Sequence, residues 1–434
     1  MRTHRTRLGA VDVSPERMLR RLAARARARG LPDPAALIGD WFGSAAVLVP
    51  SVRPVPLSTA DPAALLPAMP ADIDRHGADD GVIGGGLIGR IDHPVRPGLS
   101  PQAAWGWTAE VLRHDDGGWW SEALIGDAPH GITETAAQAA AQEFEALLHA
   151  DDPPPSHRRV GELRTPDAAR HRKAVAACIE AIAAGEIFQA NICSRFSLDF
   201  HGDPIDLFVQ GTSTLHPARA AFLTDGDAGS AISFSPELFL ARRGDQARSA
   251  PIKGTLPRRG PADEVNAARL RASTKDVAEN VMIVDLVRND LGRVASAGGV
   301  RVPELLAVQP HPGVWHLVST VTAALRAGLS HAELLAATFP PGSVTGTPKI
   351  RALEVIDELE AEPRGLHCGA VGLISPVAGL ELNVAIRTFE HRLGPRGGEL
   401  VLGVGGGITS DSDPDAEWAE CLTKAAPLLA LLGR

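Results

Sequence analysis

The chain has 434 residues, with 43 Lys+Arg against 52 Asp+Glu, a formal net charge of −9. That balance argues against a nucleic-acid-coating protein, and no run approaches the ~18 uncharged apolar residues that a membrane-spanning helix needs. There is no Tyr, so a site that would ordinarily use a phenol must use another group.

The first 30 residues carry nine Arg. Ser14-Pro15-Glu16 reads as an N-cap followed by Pro at the first helical position. Met18, Leu19, Leu22 and Ala26 then form one apolar stripe. This predicts an amphipathic helix with a basic outer face rather than a transit peptide. No apolar secretory segment precedes it, so a cytoplasmic enzyme is expected. Val47-Leu48-Val49 predicts a strand. Asp115-Asp116-Gly117-Gly118, running into Trp119-Trp120, predicts a hairpin. An Ala- and Glu-rich helix is predicted over 136–148. Asp151-Asp152-Pro153-Pro154-Pro155 reads as a linker between 1–155 and a motif-rich 156–434.

Beyond it, Ala231-Ile232-Ser233-Phe234 and Leu238-Phe239-Leu240 predict strands around a Ser-Pro turn. Ser273/Thr274 opens a helix with Val277, Val281, Val284 and Leu291 on one stripe. Thr347-Pro348 opens another with Ile350, Leu353, Ile356 and Leu359 facing inward. Asp413-Pro414 opens the last. Strands often follow strands, so the expected architecture is α+β or layered α/β. The four cysteines, Cys178, Cys193, Cys368 and Cys421, contain no C-x-x-C pair, and their linear spacing argues against a structural zinc site.

Two helices carry paired carboxylates. Asp276 and Glu279 share a face at i,i+3, and Glu417 and Glu420 repeat the spacing, with Lys424 a turn further on. Four carboxylates from two helices suit Mg²⁺, which takes a few carboxylates and several waters; a solvated acidic face is the plainer reading of either pair. Gly403-Val404-Gly405-Gly406-Gly407 lacks the third Gly of a dinucleotide fingerprint. It reads either as backbone approaching an anion or as a flexible turn at a strand end. Gly342 to Lys349 fails as a P-loop because Thr347 and Pro348 separate Gly from Lys; it could still offer a helix N-terminus to a carboxylate. Lys253, in Pro251-Ile252-Lys253-Gly254-Thr255, is either surface solvation or a nucleophile. Glu237, after Ser235-Pro236, is either a strand-end carboxylate or a general acid.

Together these segments resemble the chorismate-utilising enzymes over about residues 160 to 434. The resemblance rests on Gly185-Glu186-Ile187-Phe188-Gln189-Ala190-Asn191, Ser235-Pro236-Glu237-Leu238-Phe239, Pro251-Ile252-Lys253-Gly254-Thr255 and Lys275-Asp276-Val277-Ala278-Glu279-Asn280. It continues through Asp285 to Leu291, His316 to Thr320, Gly346-Thr347-Pro348-Lys349, Ala385-Ile386-Arg387-Thr388, the Gly-rich run and Glu417-Trp418-Ala419-Glu420. It implies an α+β fold of two antiparallel β-sheets packed as a sandwich and flanked by helices, with 1–155 contributing strands and helices to the same fold.

The resemblance also implies roles. Members that add water to chorismate carry Lys where this chain has Gln189. Members that make anthranilate usually carry Ala where it has Lys253. A Lys there resembles the branch that makes 4-amino-4-deoxychorismate for 4-aminobenzoate and folate. Mg²⁺ on Glu279 and Glu420, with Asp276 and Glu417 through waters, would hold the ring carboxylate. Lys253 would add to the ring while Glu237 protonates the departing hydroxyl, and ammonia would expel Lys253. His316 matches a family histidine near the ring. Gln189, Gly254, Thr255, His367, Arg387, Gly405, Gly406 and Lys424 are implied substrate contacts. His367 stands where Tyr is common, and Leu256 where Arg is common. Ammonia would arrive free or from a separate glutamine amidotransferase subunit.

Overall fold

Val47, Leu48 and Val49 are all buried because their strand, Ser44–Val49, is covered on both faces. Alternate residues of a strand point opposite ways. Leu48 joins a core with Met18, Leu19 and Phe144 from helices, whereas Val47 and Val49 join one with Ile88, Val371 and Leu373 from a second sheet. A strand enclosed in this way needs no polar alternation, which is why it reads as a continuous apolar run.

The computed structural model describes residues 1–9, 11–57, 65–69, 81–94, 102–226, 229–258, 260–394 and 397–434. Among these, antiparallel pairings build one sheet of twelve strands and one of ten. Ala220 of the strand Arg219–Thr224 pairs with Ile38 of Ala35–Trp41 in the first sheet. Ala370 of Ala370–Ser375 pairs with Ile91 of Gly86–Ile91 in the second. Both sheets therefore draw strands from either side of 151–155. Asp152 in that segment is tied to the first helix by Arg17 at 2.7 Å and Arg21 at 2.9 Å.

The helices Pro15–Arg29, Glu134–Leu148, Pro204–Leu215 and Pro414–Ala430 cover the outer face of the first sheet. Thr274–Gly292 and His331–Thr338 cover that of the second. Ser14 caps the first helix as expected, and Met18, Leu19, Leu22 and Ala26 are buried. The hairpin at Asp115 joins Glu110–Asp115 to Gly118–Ile125.

Three expectations are corrected. Val281 is exposed, and the buried stripe of its helix runs through Ile283, Val284, Val287 and Leu291. Ile350 is 73% exposed. Its helix, Lys349–Leu359, packs instead through Ala352, Val355 and Ile356 against Val175 and Ile187. The Gly-rich run is no turn: it ends the strand Gly397–Ile408, paired along its length with Gln189–His201.

Candidate active site

The chain passes from one sheet to the other at two adjacent points, and each carries a candidate residue. Gly229–Ser235 and Thr388–Gly394 are neighbours in the first sheet; Leu238–Arg243 and Gly379–Val384 are neighbours in the second. Glu237 lies in one crossing and Arg387 in the other. The crossings are tied by Phe234 N–H donating to Arg387 O at 3.0 Å and Val384 N–H to Glu237 O at 3.0 Å. Arg387 takes a left-handed φ of +51°.

Glu237 is 3% exposed. Burial pushes its carboxyl up to about 7, against the opposing pull of the Ser343 hydroxyl, Lys253, the Ile252 backbone and Arg387. Ser343 Oγ donates to Oε1. Burial also lowers the Arg387 guanidinium, with Glu237 opposing. A carboxyl titrating near neutrality beside two cations suits a proton donor.

Lys253 sits on a β-bulge. Ile252 pairs with Val318 and Thr255 with His316, so two residues, Lys253 and Gly254, stand opposite one. Such a bulge bends the strand and re-aims a side chain. Gly254 has φ +87°, and a Cβ there would lie 3.1 Å from Asp276 Cγ. The bare glycine thus admits the first turn of Thr274–Gly292. The result places Lys253 Nζ 3.8 Å from Glu279 Oε2, both side chains largely buried.

Gly407 makes room for the convergence. A Cβ on it would lie 2.4 Å from Gln189 Nε2, 3.1 Å from Lys253 Nζ and 3.3 Å from Glu279 Oε2. Gln189 is buried, and its Oε1 has no hydrogen-bond partner among the described residues. An orphaned buried acceptor of this kind calls for a ligand or water.

The second acidic helix faces the first across the Gly-rich strand. Lys275 Nζ lies 3.0 Å from Glu417 Oε1 and 4.0 Å from Glu279 Oε1. One ammonium thus already occupies the space between the two helices' carboxylates. Burial raises Glu279, reinforced by Asp276 and Glu420 and opposed by Lys253 and Lys275. Burial would raise Glu420 as well, but Lys424, Lys275 and Lys253 hold it below the usual value. A Cβ on Gly406 would meet Glu417 Oε2 at 2.8 Å. Lys424 Nζ donates to Gly405 O at 2.8 Å and pairs with Glu420 at 2.7 Å. Hard carboxylate oxygens are the donors that magnesium takes, although as they stand no three of these carboxylates converge within 4.8 Å and Lys275 lies between them. Glu279 and Glu420 are the residues that could hold it, with Asp276 and Glu417 close by.

His316 is 1% exposed, and its Nδ1 lies 2.8 Å from Thr255 Oγ1. Burial, Arg387 and His311 push it down to about 3, so the ring is neutral at physiological pH. His367 lies apart from Gly407: its ring covers Gly403, where a Cβ would come within 2.2 Å of Cγ. Gly407 lies four positions further along the strand, about 14 Å at ~3.4 Å per residue.

Two participants escape sequence reasoning. Ser343 reaches Glu237 from the segment that fails as a P-loop; a hydroxyl next to Gly342 was the available signal. Lys275, next to Asp276, reads as helix surface until the second acidic helix is placed opposite. Lys349, by contrast, is engaged within the protein. It pairs with Asp290 at 2.5 Å and donates to Thr338 O and Pro340 O.

The family model for chorismate binding enzymes matches residues 86–430. Aminodeoxychorismate synthase component 1 of Klebsiella aerogenes is 45% identical over 247 residues, 56% of this chain and 54% of that protein. Its counterpart in Escherichia coli K12 is 43% identical over 255 residues, 58% of this chain and 55% of that protein. The match therefore spans about half the length of these relatives. The menaquinone-specific isochorismate synthase of Escherichia coli superposes with a TM-score of 0.73 over 99% of this chain and 94% of its own, at 18% identity, which shows the shared fold. The chain belongs to the chorismate-binding enzyme family.

Proposed function

We propose that the chain exchanges the C4 hydroxyl of chorismate for an amine, yielding 4-amino-4-deoxychorismate for 4-aminobenzoate and folate formation. The observation that carries this reading is Lys253 Nζ at 3.8 Å from Glu279, within electrostatic reach of the buried acid Glu237. An amine beside a carboxylate, with a buried proton donor in electrostatic range of that amine, is the set of groups this exchange needs.

The chain's own residues supply binding and proton transfer. Arg387 offers a bidentate fork, and Lys424 a point charge, to the carboxylates of a dianionic substrate. Magnesium held by Glu279 and Glu420 would anchor the ring carboxylate and draw electron density from the diene. Lys253 Nζ forms a bond to C2 while Glu237 gives its proton to the C4 oxygen, which leaves as water. Ammonia then bonds to C4 and the C2–Nζ bond breaks, restoring Lys253. Two C–N bonds form, one C–N and one C–O bond break, the proton that ammonia loses on bonding to C4 returns to Glu237, and no oxidant is needed. Glu237, held near 7 by burial, is substantially protonated at neutral pH and suited to this step. His316 stays neutral and orients through Thr255.

Ammonia supply is assigned to a separate glutamine amidotransferase subunit; the relatives' designation as component 1 supports a second component. Among the described residues no helix is long and apolar enough to cross a membrane, and we place the chain in the cytoplasm.

The test incubates the purified chain with chorismate, Mg²⁺ and ammonium salt and identifies products by mass. Aminodeoxychorismate without pyruvate release is expected. Anthranilate with pyruvate, or unchanged chorismate, overturns the reading.

A further inference from the structure

Cys193, His367 and Cys368 are far apart in the chain, yet their ligand atoms lie within 4.8 Å of one another. Cys193 belongs to the strand Gln189–His201 of the first sheet. His367 and Cys368 lead into Ala370–Ser375 of the second. Linear spacing could not reveal the group, because sheet packing brings the two segments together.

The surroundings fit side chains built to meet. A Cβ on Gly405 would lie 2.6 Å from Cys193 Sγ, and one on Gly403 2.2 Å from His367 Cγ. The two glycines leave the space those side chains fill. His367 is 8% exposed, and neither ring nitrogen has a hydrogen-bond partner among the described residues. An imidazole buried with both nitrogens unserved is costly unless something binds it. Asn191 Nδ2 donates to Cys193 Sγ at 3.1 Å. The Cys193 N–H donates to Glu360 Oε1 at 2.8 Å, and Glu360 pairs with Arg364 at 2.6 Å.

We propose that Cys193, His367 and Cys368 form a three-ligand site for a zinc-type divalent cation that joins the two sheets. Two thiolates and a neutral imidazole suit zinc, and the fourth tetrahedral position is left for water or another ligand. Charge favours the arrangement: two thiolates cancel the dication, while Glu360 already balances Arg364. The site differs in kind from the acidic cradle, whose hard oxygens suit magnesium. It does not depend on the proposed reaction.

Cobalt(II) is the probe. The full chain, reduced and freed of metal with chelator, is titrated with Co²⁺ in excess Mg²⁺. One equivalent should produce the intense visible bands of tetrahedral cobalt and a near-ultraviolet sulfur-to-cobalt charge-transfer band. One equivalent of Zn²⁺ should abolish both. Octahedral cobalt in the acidic cradle gives only weak bands and no sulfur transition, so the two sites are distinguished. Cys193→Ser and Cys368→Ser should each lower the sulfur band to about half, the double variant should remove it, and His367→Gln should weaken cobalt affinity more than tenfold. Absence of the sulfur band from the reduced wild-type chain, or its survival in the double serine variant, would overturn the proposal. The wild-type titration decides the matter even if a variant fails to fold.

Discussion

Lys253 Nζ and Glu279 Oε2 stand 3.8 Å apart, with side-chain exposures of only 12% and 10%. The proposed nucleophile and the proposed metal ligand thus share one enclosed space. Glu279→Gln keeps the shape and removes the charge. Loss of a direct ligand should cost at least the roughly 10–100-fold that supporting residues cost, read as the magnesium concentration for half-maximal activity. An unchanged requirement would remove Glu279 from the metal site.

Glu237 carries a pH prediction. Its folded value of about 7 lies above the ordinary 4.5, so the donor is protonated below about 7. The rate of the chemical step should fall about tenfold per pH unit above that point. The stability contribution has the matching sign: it is fully present below 4.5 and lost as pH rises through about 7. The shift corresponds to an upper limit of roughly 3 kcal/mol. Urea unfolding at pH 5 and pH 8 should show the loss in the wild type and not in Glu237→Gln.

Gly407→Ala should be a severe variant without adding any charge. Its Cβ would fall 2.4 Å from Gln189 Nε2 and 3.1 Å from Lys253 Nζ. A displacement of about 1 Å in a reacting group can cost about 100-fold. The expected reading is a loss of that order in kcat/KM with near-native circular dichroism. Full activity would show that the convergence on Gly407 is not the reacting space.

Glu360 and Arg364 form a buried pair at 2.6 Å, with side-chain exposures of 7% and 3%. Arg364 also donates to Val344 O at 2.8 Å, joining the crossing region to the Gly342–Val344 turn. Glu360→Ala leaves the guanidinium without its counter-charge and should destabilise the chain by about 3–5 kcal/mol, measured by urea unfolding.

Much of this was legible in the sequence where one element determines the outcome. Ser14 capping a helix with Met18, Leu19 and Leu22 buried is local, and so is the hairpin at Asp115. The acidic pairs were visible because i,i+3 spacing fixes a shared face. What long-range packing decides was not legible. Val281 and Ile350 are apolar at helical spacing yet exposed, because the partners that select a buried face come from distant segments. The Gly-rich run was undecided between turn and anion loop, since a glycine strand declares itself only through its neighbours. Those neighbours are Cys193, His367, Gln189 and Glu417. Cysteine spacing likewise could not show that Cys193 and Cys368 meet.

The most direct measurement compares wild type with Lys253→Ala in two readings: the rate of amine transfer from ammonium to chorismate, and the intact mass of the protein after mixing with chorismate and Mg²⁺ alone. The account predicts a wild-type adduct of chorismate less one water, absent from the variant, together with loss of amine transfer. A variant that forms aminodeoxychorismate at the wild-type rate would contradict it.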